Sequence, residues 1–249
     1  MIQTIYVMWL RQLKRYWRSK PRLIGSIGQP LLFLIAFGFG FSPVFERAGG
    51  VDYMEFLVPG IVAMTILFTS MFTGIEVVWD RKFGFLKETL VAPISRTDIM
   101  VGRTLGGATI SVIQGLVVLL LTLFIGFRPV SWYAVLPAIF FMFLVSVFLT
   151  GFGTAIASRI DDMQAFPMIM NLLIMPMFFL SGALFPIDGL PSVIKFAVLL
   201  NPLTYGVDGL RATLTGTLSF SLTLDLAVLM GLSVLVNLVG AWFFSKIEI

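Results

Sequence analysis

Six stretches of the 249-residue chain stay apolar for about as long as a helix needs to cross a bilayer. They fall near 23–43, 57–79, 104–127, 132–157, 165–185 and 222–244, each close to the ~20 residues that a ~30 Å hydrocarbon core demands. This pattern constrains the fold more than any other feature. Lipid offers the backbone no hydrogen-bond partners, so a crossing segment must satisfy its own, which a helix of this length does. Composition agrees: 58% of residues are hydrophobic and 12% charged, against about a quarter charged in soluble domains. The mean hydropathy is +1.00. The sequence therefore predicts one all-α, multi-pass transmembrane domain over 1–249.

The spans have internal punctuation. Gly25, Gly28, Pro30, Gly38 and Gly40 lie in the first, Pro59-Gly60 opens the second, and Pro167 and Pro176 lie in the fifth. Such residues are tolerated in membrane helices where neighbouring protein packs against the backbone or satisfies it. Trp79, Trp132, Tyr133 and Trp242 sit at span ends, the depth that amphipathic rings favour.

Residues 1–22, MIQTIYVMWLRQLKRYWRSKPR, read as an amphipathic helix. Ile2, Ile5, Tyr6, Trp9, Leu13 and Tyr16 form one stripe, while Arg11, Lys14, Arg15, Arg18, Lys20 and Arg22 supply charge beside Trp17. A basic amphipathic helix rich in aromatics lies in the headgroup plane; a helix that binds a soluble partner is the rival reading. No small-residue cleavage site follows, so a signal peptide is not expected. With this end inside, six spans also place Arg81, Lys82, Lys87, Arg96, Arg103, Arg159 and Lys246 inside, leaving Arg47, Arg128, Lys195 and Arg211 outside. That bias predicts two cytoplasmic termini in a cell membrane.

Between the second and third spans, 76–103 is unusually charged. Phe83, Leu86 and Leu90 recur at i, i+3 and i+7 among Lys82, Lys87 and Glu88, the pattern of a short amphipathic helix. Pro93 ends it, and Ser95 to Asp98 reads as a cap for the next helix. The helix, at about 80–92, hangs on the cytoplasmic face. An interfacial loop helix with no partner is the alternative. Between the fifth and sixth spans, Asp188-Gly189 signals a turn and Pro191 suits a first helical position. The apolar run Val193–Leu200 is too short to span, so it reads as a re-entrant or interfacial helix, stopped by Asn201-Pro202. A second short helix follows through Tyr205–Leu214.

The absence of cysteine and histidine removes thiolate chemistry, the commonest general base and the commonest metal ligand; no catalytic or metal site is expected. No G-x-x-x-x-G-K-[ST] run occurs, so an ATPase, if one is used, is another polypeptide. Glu76 is the acid deepest within a span, and an intramembrane carboxylate is a functional candidate; snorkelling to the interface, or pairing with Arg81 or Lys82, is the structural alternative. Asp161 and Asp162 are adjacent and cannot share a helix face, so they read as a solvated loop. Gly102 and Gly106 form a small-xxx-small pair that permits close helix approach. A secondary carrier would need matching broken helices, and no internal repeat is visible. An intramembrane enzyme would need a convergent polar set, which is also not visible. A membrane scaffold for an ATPase remains open.

Three segments together carry a resemblance: LVPGIVAMTILFTSMFTGIEVVWDRKFGFLKETLVAPISRTDIMVGR (57–103), SGALFPIDGLP (181–191) and NPLTYGVDGLR (201–211). In this order and spacing the chain resembles the permease family of type-2 ATP-binding cassette exporters, in its daunorubicin-resistance-like and nodulation-factor-export-like branch. The resemblance implies a half-channel that pairs with a second permease subunit, as a homodimer, and with two separate ATPase subunits. These would carry the ATP and Mg; none is bound by this chain, and no nucleic acid is expected. The 80–92 segment looks like the family's coupling helix, with Arg81, Lys82, Phe83, Gly84, Leu86, Lys87, Glu88 and Pro93 as docking residues. The N-terminal helix, with Trp9, Arg11, Lys14, Arg15, Trp17 and Arg18, looks like its interfacial connecting helix. Glu76 matches the acidic position where the second span leaves the membrane. Segment 186–211, with Pro186, Pro191, Asn201, Pro202, Tyr205 and Arg211, looks like its extracellular re-entrant helices. The implied function is ATP-driven export, with drugs, lipids and polysaccharides among the family's cargoes.

Overall fold

Helix α3 (Tyr53–Thr73) stands at the centre because it is apolar on every side, and an all-round hydrophobic helix is one that is buried. The computed structural model describes residues 2–47, 52–91, 94–160, 162–187 and 190–246. Along the chain α1 (Ile2–Arg18) leads to α2 (Lys20–Arg47), then α3, α4 (Ile75–Lys82), α5 (Phe85–Val91) and α6 (Arg96–Ile125). A 3₁₀ turn (Trp132–Ala134) opens α7 (Val135–Ala157), followed by α8 (Ala165–Phe179), α9 (Ser192–Leu200), α10 (Pro202–Thr215) and α11 (Leu222–Ser245). No strand occurs among the described residues.

Helices α2, α6, α7, α8 and α10 pack around α3, and α11 leans on α6, α7 and α10. Leu57, Ile61 and Ile66 of α3 meet Val118 of α6 and Phe141, Val145 and Leu149 of α7 in one continuous core. By length and apolarity five helices can cross a membrane: Leu23–Phe45, Tyr53–Lys82, Arg96–Ile125, Trp132–Ala157 and Leu222–Ser245. Helices α9 and α10, bent by 84° at Asn201, form a broken span or a re-entrant loop. The stretch expected as a fifth span, 165–185, is helical over Ala165–Phe179 only. At 1.5 Å per residue that is about 22 Å, short of the ~30 Å core. The third span begins before its expected start at 104, because α6 runs unbroken from Arg96.

Helix α1 does not lie free along the side of the bundle. It packs lengthwise on α6, and Gly102 and Gly106 are what let it. A Cβ on Gly102 would sit 2.7 Å from Met8 Cβ, and one on Gly106 would sit 2.6 Å from Gln12 Cβ. Such distances would force the two helices apart. Met8, Gln12 and Tyr16, one turn apart, are the buried face of α1. Ile2 and Tyr6, expected in the apolar stripe, are exposed instead. Trp9 Nε1 donates to Thr109 Oγ1 at 3.0 Å, and Gln114 donates to the Tyr16 hydroxyl.

Candidate functional site

The charged turn after the second span divides where the single helix 80–92 is expected. Residues 80–82 continue α4, which follows α3 after a one-residue break at Gly74. Phe83 and Gly84 form the turn, and α5 follows. Gly84 has φ +82°, a left-handed conformation that glycine adopts without the clash a Cβ would bring. Phe83 is 65% exposed and Phe85 51%, so two aromatic rings flank an exposed corner. Lys82 and Glu88 are also exposed. Pro93 lies outside the described residues, as do the side chains of Leu86 and Lys87.

Beneath the corner is an ionic lock. Glu76 and Asp80 are one turn apart on α4, on one helix face, and both are buried. Asp80 Oδ1 accepts from Arg15 at 3.0 Å and from Arg11 at 3.4 Å, and Asp80 Oδ2 accepts from Arg103 of α6. Arg15 also lies 3.9 Å from Glu76. One carboxylate thus ties α4 to both α1 and α6. Arg103 is 2% exposed, and a buried guanidinium is tolerated only beside a partner that offsets its lost hydration. Arg15 of the N-terminal helix is thus one cation within reach of Glu76. Arg81 Nη2 donates at 2.7 Å to the carbonyl of Ser158, the residue that caps the C-terminus of α7. Such terminal carbonyls have no partner inside their own helix.

A cleft of about 680 Å³ opens between α1 and the corner, lined by Lys14 and Arg18 as well as Arg11, Arg15, Asp80 and Phe85. Trp17 is exposed beside it on α1. Trp9, by contrast, points inward to α6. Asp80, Arg103 and Gln12 escape a reading of the sequence, because their charges and polar groups look like those of a solvated loop or a headgroup-facing stripe. The i, i+4 spacing of Glu76 and Asp80 was the available signal.

A second polar cluster organises the opposite end of the bundle. Where α8 stops, the chain turns back through 180–187, and its carbonyls are taken by side chains from the bent pair. Asn201 Nδ2 donates to Met177 O at 2.6 Å while its Oδ1 accepts from Leu203 N at 3.1 Å. Asn201 thereby caps α10, whose first residue is Pro202. Arg211 donates to Gly182 O at 2.9 Å and Phe56 O at 3.3 Å, with its guanidinium carbon 3.8 Å from the Phe56 ring centroid. Tyr205 donates to Leu199 O at 2.7 Å, and Asp208 accepts from Ser219 N and Phe220 N, each at 2.9 Å. Pro186 and Pro191 are exposed. Asp188 and Gly189 lie outside the described residues, as does Asp161 in the loop after α7.

These two ends, one long apolar bundle between them, match a known family over most of the chain. Residues 3–215 match the model of the ABC-2 type transporter family. The "Putative transport permease ycf38" of Cyanophora paradoxa is 32% identical over 213 residues, covering 84% of this chain and 73% of that protein. Its namesake in Porphyra purpurea is 30% identical over 262 residues, covering 99% and 89%. Nodulation protein J of Rhizobium leguminosarum bv. trifolii is 28% identical over 196 residues, covering 78% and 74%. With its long apolar helices and these matches, the chain is a multi-pass membrane protein belonging to the ABC-2 type transporter family.

Proposed function

We propose that this chain is the membrane-spanning half of an ATP-driven exporter, working as a homodimer with two copies of a separate ATPase that carries ATP and Mg. The observation that carries this reading is the corner at Phe83–Gly84–Phe85. It is exposed and aromatic, yet mounted on a helix that Asp80 and Arg81 fasten to α1, α6 and α7. Surface aromatics on a rigid mount suit docking, since such anchors dominate interface energetics. A partner pushing on the corner would move α4 as one piece with α1 and α6, the rigid-body route by which packed helices transmit motion. The excess of Lys and Arg at this end supports a cytoplasmic side for it and for both termini.

The homodimer is supported by a second feature. Helix α2 leaves Leu32, Ile35 and Phe39 exposed, and α8 leaves Met168, Leu172 and Met175 exposed. Phe33 of α2 meets Phe178 of α8 at 6.1 Å between ring centroids, so the two helices share one side of the bundle. That side suits a second copy, with the transport path between them. The bent pair α9–α10 then closes the outer end as a re-entrant element, held by Asn201 and Arg211.

The test uses the permease reconstituted with its ATPase. Phe83→Ser combined with Phe85→Ser removes exposed rings only, so thermal unfolding stays at the wild-type midpoint. ATPase binding and permease-dependent hydrolysis drop at least tenfold. Wild-type hydrolysis and export by the double variant would remove the docking role from this corner.

A further inference from the structure

Helix α8 starts close to the end of α7 but leans away toward α3 and α10. The divergence leaves a groove of about 410 Å³ between α7, α8 and α11. Its walls are apolar, with Ile156 and Ile160 from α7 and its end, Ile169 from α8, and Val236 and Val239 from α11. From Phe152 to Ile160 it follows about eight residues, roughly 12 Å of helix rise. That is somewhat less than half of a ~30 Å hydrocarbon core, so the groove belongs to one leaflet. It lies at the same end of the bundle as the ionic lock.

The groove ends at one cation, and two more stand at the nearby end of α11. Arg159 lines its mouth, with its guanidinium carbon 4.3 Å from the Phe243 ring centroid and 5.9 Å from that of Trp242. Lys246 Nζ sits 3.8 Å from the Trp242 ring centroid. Arg96 reaches the same helix end, donating to Ser245 O at 2.5 Å. Aromatic faces hold Arg159 and Lys246 by cation–π attraction without consuming their N–H donors. The ion pairs among the described residues involve neither of them. Asp162, two positions past Ile160, has its carboxylate on Gln164 N at 2.8 Å.

From this juxtaposition we infer that the α7–α8–α11 groove is a binding site for one anionic phospholipid: an acyl chain lies along Ile156, Ile160 and Val239, and the phosphate meets Arg159 and Lys246. An apolar channel within one leaflet, with Arg159 at its mouth and Lys246 beside Trp242 at the end of α11, complements a molecule with one oily tail and one negative head. A guanidinium matches a phosphate in shape as well as charge. Trp242 stands at the depth where interfacial tryptophans sit, and basic pockets between transmembrane helices are a known way to select such headgroups. The site lies on the flank of α11 and takes only Ile169 from α8. It stands whether or not the protein exports anything.

The test is native mass spectrometry of the purified full-length chain, titrated with phosphatidylglycerol or with phosphatidylcholine of the same acyl composition. Wild type retains one phosphatidylglycerol in preference to phosphatidylcholine. Arg159→Gln and Lys246→Gln each weaken that retention about fivefold, the factor expected for one cation beside an anionic lipid. Val239→Trp, which fills the groove and leaves both cations in place, also removes it. Equal retention of the two lipids by wild type would overturn the site. So would unchanged phosphatidylglycerol retention in Val239→Trp, since the headgroup would then be binding surface cations alone. Both lysine and arginine variants alter exposed side chains and keep the wild-type unfolding midpoint, so loss of fold does not mimic loss of the site.

Discussion

The two ends of the bundle are held by different chemistry. At the α1–α4–α6 end, one carboxylate gathers three guanidinium groups: Asp80 with Arg11, Arg15 and Arg103. At the α8–α10 end, Asn201 and Arg211 hold backbone carbonyls at Met177 and Gly182. Charge pairs fall off slowly with distance and survive small sliding movements. Hydrogen bonds to carbonyls weaken steeply with misalignment. The first end is therefore built to shift while staying attached, and the second to keep one geometry.

Asp80→Ala breaks the contrast most severely. It leaves Arg103 buried without the acid it is hydrogen-bonded to, with only the weaker attraction of Glu76 remaining, and breaking a buried pair costs about 3–5 kcal/mol. Thermal unfolding in detergent should show a large drop, and a wild-type midpoint would mean the lock holds nothing. Salt sharpens the comparison without mutation. The side chains of Arg11 and Arg15 are about a third exposed, so about 1 M salt, with a screening length near 3 Å, weakens their hold on α4. Hydrogen exchange in 74–82 should accelerate in salt while exchange in 180–187 stays constant.

Arg211→Met attacks the other end. It strands the Gly182 carbonyl, and a buried group left unsatisfied costs about 1–3 kcal/mol. The native chain has no cysteine, so a single cysteine introduced at Pro186 reports the change cleanly. Its labelling rate should rise in Arg211→Met and stay constant in Gly106→Leu. Gly106→Leu tests the first end by shape instead of charge. It drives a side chain into Gln12 and costs about 1–3 kcal/mol through overpacking. It should free α1 for proteolysis after Arg11 or Lys14.

The apolar runs were legible in the sequence because bilayer thickness imposes a length that counting finds, and five of the expected spans coincide with helices able to cross. The fifth differs in extent, because apolarity continues through Phe185 while the helix ends at Phe179. Hydropathy registers no difference between a helix and a turn whose carbonyls are capped from elsewhere. Asn201 was visible as a helix stop and Arg211 through family resemblance, but their partners, 24 and 29 residues away, were not. Asp80 and Arg103 were misplaced for a related reason. Near a membrane surface, a charge facing water and a charge facing another helix look the same in sequence. Only the Gly102 and Gly106 spacing hinted that a helix would lie on α6, and it carried no information about which one.

The smallest expected effect probes the corner itself. Gly84 has φ +82°, and a Cβ placed there would meet nothing within 4 Å, so space is not the constraint and backbone conformation is. Alanine in the left-handed region costs roughly 1–2 kcal/mol, whereas asparagine visits that region far more readily. Gly84→Ala should therefore tilt α5 and lower permease-dependent ATP hydrolysis several-fold, with little change in the unfolding midpoint because the lock at Asp80 is untouched. Gly84→Asn should restore most of the hydrolysis. If alanine and asparagine behave alike, the turn conformation is not what aims Phe83 and Phe85. If asparagine rescues, the direction in which α4 presents its corner is set by one backbone angle, one turn beyond the carboxylate that anchors it.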